Sequence, residues 1–314
     1  RTERWRDLAS LLRGELDRAS PEEQVGLTHR LGLMHEKRLD EPGQAVDLYE
    51  QVLLQEPNHK HAREALERLM DKAEQRQRCA GILEPIYEER GDWPELVSVL
   101  EVQLEDVEEP GSRVALLLRI ASLQEDRLHD PSEAFGSVAR AVEADPADAQ
   151  VREELARLAR MRDAERERAR VLESALQAQS DSPGLQSELL LELARLWEDG
   201  VGDADEAERA YQRLIEVDGD NPEVVLTASR ALERIHLGKG DHTALAKDLE
   251  RQVELEHDAE EQGRLLVRLA DLREEILEDV DGAIEAHRRR VELEPDDVEA
   301  MRALERLYER ERRW

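Results

Sequence analysis

Apolar side chains recur every three or four positions along nearly the whole chain. Over 264–277 they fall at Leu265, Leu266, Leu269, Leu272 and Ile276. That stripe has the 3.6-residue period of a helix and not the alternation of a strand. The same spacing, interrupted by short polar links, predicts about seventeen helices, the first over 5–18 and the last over 296–312. The links run to about two to five residues, which forces consecutive helices to lie antiparallel. Ten of the eleven prolines stand at predicted helix starts or in turns, where a missing N–H costs nothing. Pro85 is the exception, and it should kink its helix or mark that helix's first turn. No helix pair could bury its stripe alone, whereas stacked pairs can. The pattern predicts a single all-α solenoid over 1–314.

The helices also repeat. A Leu or Ile precedes a small residue at Leu31-Gly32, Ile120-Ala121, Leu193-Ala194 and Leu269-Ala270, and thirteen residues past each small residue stands Ala45, Ala134, Ala207 or Ala283. An acid or amide precedes Pro57, Pro146, Pro222 and Pro295, and each proline opens a further helical run. Between the first two copies the pattern holds five helices, against four in the later intervals. Antiparallel stacking keeps one face only for an even count, so an extra helix lies within 58–92. Either the stack absorbs it by a local change of pitch, or it separates sub-segments 1–72 and 93–314. The run Leu307-Tyr308 to Trp314 aligns with Ile86-Tyr87 to Trp93, and Trp5 falls at the same place. The chain thus starts and stops at one phase of its repeat with no polar capping helix. This predicts an excised part of a longer array, with apolar stripes exposed on both end helices.

The small residue closing a first helix, the alanine thirteen on and the proline after the second helix resemble the tetratricopeptide (TPR) repeat. Ile120-Ala121 through Ala134 to Pro146 is a clear copy, and Leu193-Ala194 through Ala207 to Tyr211 is another. The turn between the two helices is about one residue longer than the TPR consensus, and the intervening hairpins match poorly. The alternation is similar to long arrays in myxobacteria-type scaffold proteins. The resemblance implies a right-handed superhelix, with an irregularity near 72–92, that serves as a non-catalytic platform for protein partners.

Composition narrows the partners. With 76 acids against 45 bases the net charge is −31, which argues against nucleic acid and anionic membrane surfaces. The longest apolar run, Val114–Leu118, is far below the roughly 20 residues of a membrane span. A single cysteine, Cys79, excludes a disulfide framework and is expected to be a small buried hydrophobe. Five lysines against forty arginines point to a GC-rich bacterial genome. Cytoplasmic localisation is the default expectation.

Little else reads as chemistry. Leu237-Gly-Lys-Gly lacks the spacing of a phosphate loop. Gly91 and Gly240 precede Asp92 and Asp241 at one repeat position and should be helix C-caps. The acidic turns 199–205 and 217–222 lack the closing Glu of a calcium loop. His59 and His61, two apart, should point to different faces. Trp5, Trp93 and Trp314 share a repeat position and should wedge between hairpins. No enzyme site, metal or cofactor is expected.

What remains is the groove. In TPR-like stacks the first helix of each pair lines the concave face. Four past each small residue stand Glu36, Glu125, Glu198 and Glu274, followed by Lys37, Asp126, Asp199 and Glu275. Leu118, Leu191 and Val267 lie one turn earlier, with Arg195, Arg264 and Asp271 nearby. The Lys/Asn/Arg clamp of chaperone-tail-binding repeats is missing, with His29, Leu118, Leu191 and Val267 in its place. The groove is expected to hold a basic or amphipathic protein segment. The alternative is a structural spacer or self-assembling array, joined through its end helices, without a groove ligand.

Overall fold

Most helices start at a side chain that replaces a missing backbone partner. Asp130, Asp148, Asp203, Asp241, Asp258, Asp279 and Asp297 each accept an N–H from the first turn of the helix they open, and a carboxylate there also suits the helix dipole. The computed structural model describes residues 2–179 and 182–311. Among these it holds seventeen α-helices and no strand: α1 (Thr2–Leu16), α2 (Pro21–Met34), α3 (Pro42–Gln55), α4 (Lys60–Leu69), α5 (Ala73–Arg90), α6 (Trp93–Leu104), α7 (Pro110–Asp126), α8 (Pro131–Ala144), α9 (Ala149–Met161), α10 (Glu165–Ala178), α11 (Pro183–Arg195), α12 (Ala204–Val217), α13 (Pro222–Lys239), α14 (His242–Leu255), α15 (Ala259–Asp271), α16 (Val280–Leu293) and α17 (Val298–Arg310). The chain clusters into two compact units, Arg1–Asp163 and Ala164–Trp314.

Two kinds of hairpin recur. In α2–α3, α7–α8, α11–α12 and α15–α16 the turn is long. Eight residues past Gly32, Ala121, Ala194 and Ala270, the residues Asp40, His129, Gly202 and Glu278 take a left-handed backbone (φ 55, 55, 74 and 53°). The next N–H reaches back six residues, from Glu41 to His35, Asp130 to Gln124, Asp203 to Trp197 and Asp279 to Arg273. Three of these helices end in a wide π-helical turn, His35–Leu39, Leu196–Val201 and Leu272–Ile276. That widening takes up the extra residue noted in the sequence. In α5–α6 and α13–α14 the turn is short. Gly91 and Gly240 sit at φ 72 and 71°, and the following N–H reaches back only five residues, from Asp92 to Tyr87 and Asp241 to His236. These are the C-capping glycines the sequence predicts.

The repeat residues form the packing seams. Ala45, Ala134, Ala207 and Ala283 are fully buried. A Cβ at Gly32 would meet Tyr49 Cε1 at 2.7 Å, so a larger residue there requires the buried Tyr49 ring to shift.

Residues 72–92, where the repeat phase predicts a break, lie inside the first unit. One core runs from Ala45 to Ile120, and α3 touches both α4 and α5, so the extra helix is packed into that core. Pro85 lies within one continuous helix, Ala73–Arg90, and not at its first turn. Cys79 is fully buried, and burial pushes its thiol up to about 12. Apolar side chains are exposed on both end helices, Leu8 and Leu11 on α1 and Val298 and Met301 on α17. No described helix is long and apolar enough to cross a membrane.

Candidate functional site

The four glutamates of the expected acidic stripe do one thing in common: each meets an arginine from the helix two further along. Glu125 takes Arg157 on both oxygens, at 2.9 and 2.5 Å. Glu198 takes Arg234 at 2.8 Å, Glu274 takes Arg306 at 2.8 Å, and Glu36 lies 3.5 Å from Arg68. Tyr49 and Tyr211, equivalent residues of the second helices, donate their hydroxyls to Glu36 and Glu198 at 2.7 Å each. His287 is buried at the same position opposite Glu274. Burial pushes Glu36 upward, but the Tyr49 hydroxyl, Lys37 and Arg68 outweigh it and hold the carboxyl below its ordinary range. The two tyrosines are pushed up by burial and then by their glutamates.

These carboxylates therefore tie alternate helices together within each unit, and an arginine neutralises each of them. The residue after each glutamate is different. Lys37, Asp126, Asp199 and Glu275 are exposed, as are Arg195 and Asp271, while Leu118, Leu191 and Val267 are half-buried.

Two clefts gather part of this set. In the first unit, Leu118, Ser122, Glu125 and Asp126 on α7 face Glu154 and Arg157 on α9 across a cleft of about 480 Å³. Arg157 bridges Glu125 and Glu154, and those two hydrogen-bonding carboxylates raise it above its ordinary value. Asp126 accepts from the Ser122 hydroxyl at 3.0 Å and otherwise faces solvent. The cleft thus offers an apolar floor with three carboxylates against one guanidinium. In the second unit, Arg264 and Val267 line a cleft of about 530 Å³ with Arg290, Leu293 and Glu294; Arg264 is tied to Glu260 and Glu261 on its own helix. Leu191, Arg195, Glu198 and Asp199 line neither cleft.

Two groupings escaped the sequence reading. His59 is the N-cap of α4, its Nδ1 accepting from the Ala62 N–H at 3.1 Å. The ring of His29, on α2, lies 4.8 Å from that of His59 and 6.1 Å from that of His61. Among the described residues no three His, Cys, Asp or Glu side chains are arranged to hold a metal. In the second unit His236 on α13 and Asp248 on α14 are both buried, with Nδ1 2.5 Å from Oδ2. The other ring nitrogen lies 3.3 Å from Glu208, and burial raises Asp248. The adjoining cleft of about 310 Å³ is lined by no hydroxyl or thiol nucleophile. A buried aspartate on the apolar stripe of α14 is the one visible signal for this pair, since an unpaired carboxylate cannot stay there.

Of the three tryptophans that share a repeat position, Trp5 lies under the Arg38 guanidinium at 5.0 Å and Trp93 under Arg127 at 5.1 Å. Trp314 is outside the described residues.

A tetratricopeptide repeat family model matches residues 81–114, spanning the end of α5, all of α6 and the start of α7. The match falls on a short-turn hairpin, one the sequence reading took for a poor copy. Its turn carries no extra residue, whereas the apparently clear copies are lengthened by a wide turn. The chain is similar in structure to the C-terminal part of a TPR repeat-containing protein from Cytophaga hutchinsonii, with 15% identity, 82% of this chain and 98% of that one covered, and a TM-score of 0.36. It is similar to Pseudomonas aeruginosa PilF, with 17% identity, 74% and 97% covered, and a TM-score of 0.32. It is also similar to YrrB, a TPR protein with an unusual peptide-binding site, with 15% identity, 60% and 91% covered, and a TM-score of 0.33. The comparison with curated proteins gives no match. The family model thus identifies one tetratricopeptide repeat, on α5–α6, and related two-helix units recur at Gly32, Ala121, Ala194 and Ala270.

Proposed function

We propose that this protein is a non-catalytic scaffold that holds a basic amphipathic protein segment in the α7–α9 cleft. One observation carries the reading. The half-buried Leu118 sits in a single cleft with Glu125, Asp126 and Glu154 and only one guanidinium. Apolar contact with Leu118 supplies residence time, and the surplus negative charge supplies steering and selectivity. Glu125 is committed to Arg157, so reversing it would set two cations together and test the fold as well as the site. Asp126, exposed and held only by Ser122, is the cleaner handle.

The test is titration of a labelled amphipathic Lys/Leu peptide, with an Asp/Leu peptide as control. The basic peptide should bind, and its affinity should fall several-fold between about 50 and 300 mM salt as the Debye length shrinks below 10 Å. Asp126→Lys should slow association, and Leu118→Asp should speed dissociation, with helicity unchanged. Equal binding of the two peptides, or indifference to both substitutions, would remove the cleft from the reading.

A further inference from the structure

One copy of the repeat carries histidines at three places where the other copies carry none. Counted from the small residue of each copy, His29 stands where Leu118, Leu191 and Val267 stand. His59 stands where Asp148, Asn221 and Asp297 stand, and His61 where Gln150, Glu223 and Glu299 stand. The three positions meet in space. The His29 ring on α2 lies 4.8 Å from that of His59 and 6.1 Å from that of His61, and the last two are 6.3 Å apart.

His59 caps α4, its Nδ1 accepting the Ala62 N–H. Asp148 and Asp297 cap α9 and α17 at the same place with a carboxylate, which suits the positive end of the helix dipole. An imidazole accepts at Nδ1 only while that nitrogen is unprotonated. A proton there ends the cap and sets a cation at the wrong end of the dipole. Histidine is the side chain whose charge changes between about pH 5 and 8, and a carboxylate's ordinarily does not.

The surroundings offer little to balance added positive charge. His29 faces Glu36 from the turn after α2, but Glu36 already holds Lys37, Arg68 and the Tyr49 hydroxyl of α3. On α4, Arg68 adds a positive charge. His61 meets Glu64, which Lys60 shares, and Arg63 is tied to Glu67. From α5, Arg90 donates to Asn58, the neighbour of His59, at 2.7 Å. The Nε2 of His29 is buried with no hydrogen-bond partner among the described residues, so a second ring proton would have nothing to meet. Burial, then His59 and His61, hold His29 below its ordinary 6.5 against the pull of Glu36. A histidine depressed in the fold contributes stability that is complete above the unfolded value and falls as pH drops below it.

We infer that His29, His59 and His61 form an acid-sensitive latch. Neutral, they hold the first turns of α4 against α2. Protonated, they release them, while α9 under its Asp148 cap stays closed.

The experiment is hydrogen exchange of the full chain, followed by NMR and expressed as protection factors at pH 7.5 and 5.5. Amides 62–66 of α4 should lose about fivefold in protection relative to the equivalent amides 151–155 of α9, the size of a lost N-cap. His59→Asp, which imports the cap of α9, should hold that ratio within about twofold, and His59→Asn, an acceptor without charge, should do the same. A chain with His29→Leu and His61→Gln keeps the His59 cap and imports Leu118 and Gln150, and it should shrink the loss without abolishing it. A wild-type ratio that is equal at the two pH values overturns the inference. So does a full loss that persists in both His59 variants, because the cap would then not be the sensor. A loss undiminished in the His29→Leu, His61→Gln chain would also overturn it, by reducing the three-histidine latch to a lone cap.

Discussion

The α5–α6 and α13–α14 hairpins are the same object built with different cores. Both close through a left-handed glycine, Gly91 or Gly240. In both, a glutamine of the second helix and an arginine of the next hairpin converge on one glutamate, Glu84 or Glu233. Between their helices they differ. Val99 lies fully buried in the first hairpin, and the Tyr87 hydroxyl turns away to Glu67 on α4 at 2.6 Å. In the second, His236 and Asp248 occupy the same two places and bond to each other at 2.5 Å. A repeat seam accepts an apolar pair or a polar one, provided both members change together. A buried hydrogen bond is nearly neutral when made and costly when half made.

The largest effect should come from mixing the two solutions. Val99→Asp places a carboxylate in the first core with no imidazole to meet it, and should cost upward of about 4 kcal/mol. Asp248→Val strands the His236 ring and should cost about 2–3 kcal/mol. His236→Tyr with Asp248→Val imports the first hairpin's arrangement and should return to within about 1 kcal/mol of wild type. Denaturant midpoints measure all three. A double variant as weak as the single one would show that the two seams are not equivalent.

The turns give the next effect. Gly91→Ala puts a Cβ at φ 72° and should cost about 1 kcal/mol. Space is not the reason, since the added atom would sit 3.4 Å from the Trp93 ring. His129 already occupies the left-handed region of a long turn at φ 55°, so His129→Gly should gain about 0.5 kcal/mol. Thermal unfolding of both variants should show shifts of opposite sign.

The smallest effect is a difference in pH dependence. Burial pushes Glu84 upward, but Gln103 and Arg119 outweigh it and hold the carboxyl below its ordinary 4.5. A depressed carboxylate contributes stability that is present above its unfolded value and lost as pH falls through the folded one. Glu84→Gln should therefore flatten the acid limb of the stability curve. Asp248 is raised above its ordinary 3.8, by burial against the opposing His236 and Arg251. Its contribution is complete below 3.8 and shrinks as pH rises. Relative to the His236→Tyr, Asp248→Val double variant, wild type should thus lose ground as the pH rises above 3.8. Parallel curves over that range would leave Asp248 without a net burial effect.

The helical stripes, the alanines thirteen past each small residue, the capping glycines and the count of helices were all legible in the sequence. Each is a local pattern, set by the 3.6-residue period or by one residue's backbone freedom. The sequence also carried the spacing of Glu36, Glu125, Glu198 and Glu274, but not what they meet. Their partners Arg68, Arg157, Arg234 and Arg306 lie 32 to 36 residues on, beyond any helical period. Only the stacking of alternate helices turned each of these acids into one half of an ion pair and left Asp126, Asp199 and Glu275 as the exposed carboxylates beside them. His236 and Asp248, twelve apart across a turn, needed the same step, as did His29 with His59. Periodicity says which face of a helix is buried, and tertiary packing alone decides which side chain waits on the other side.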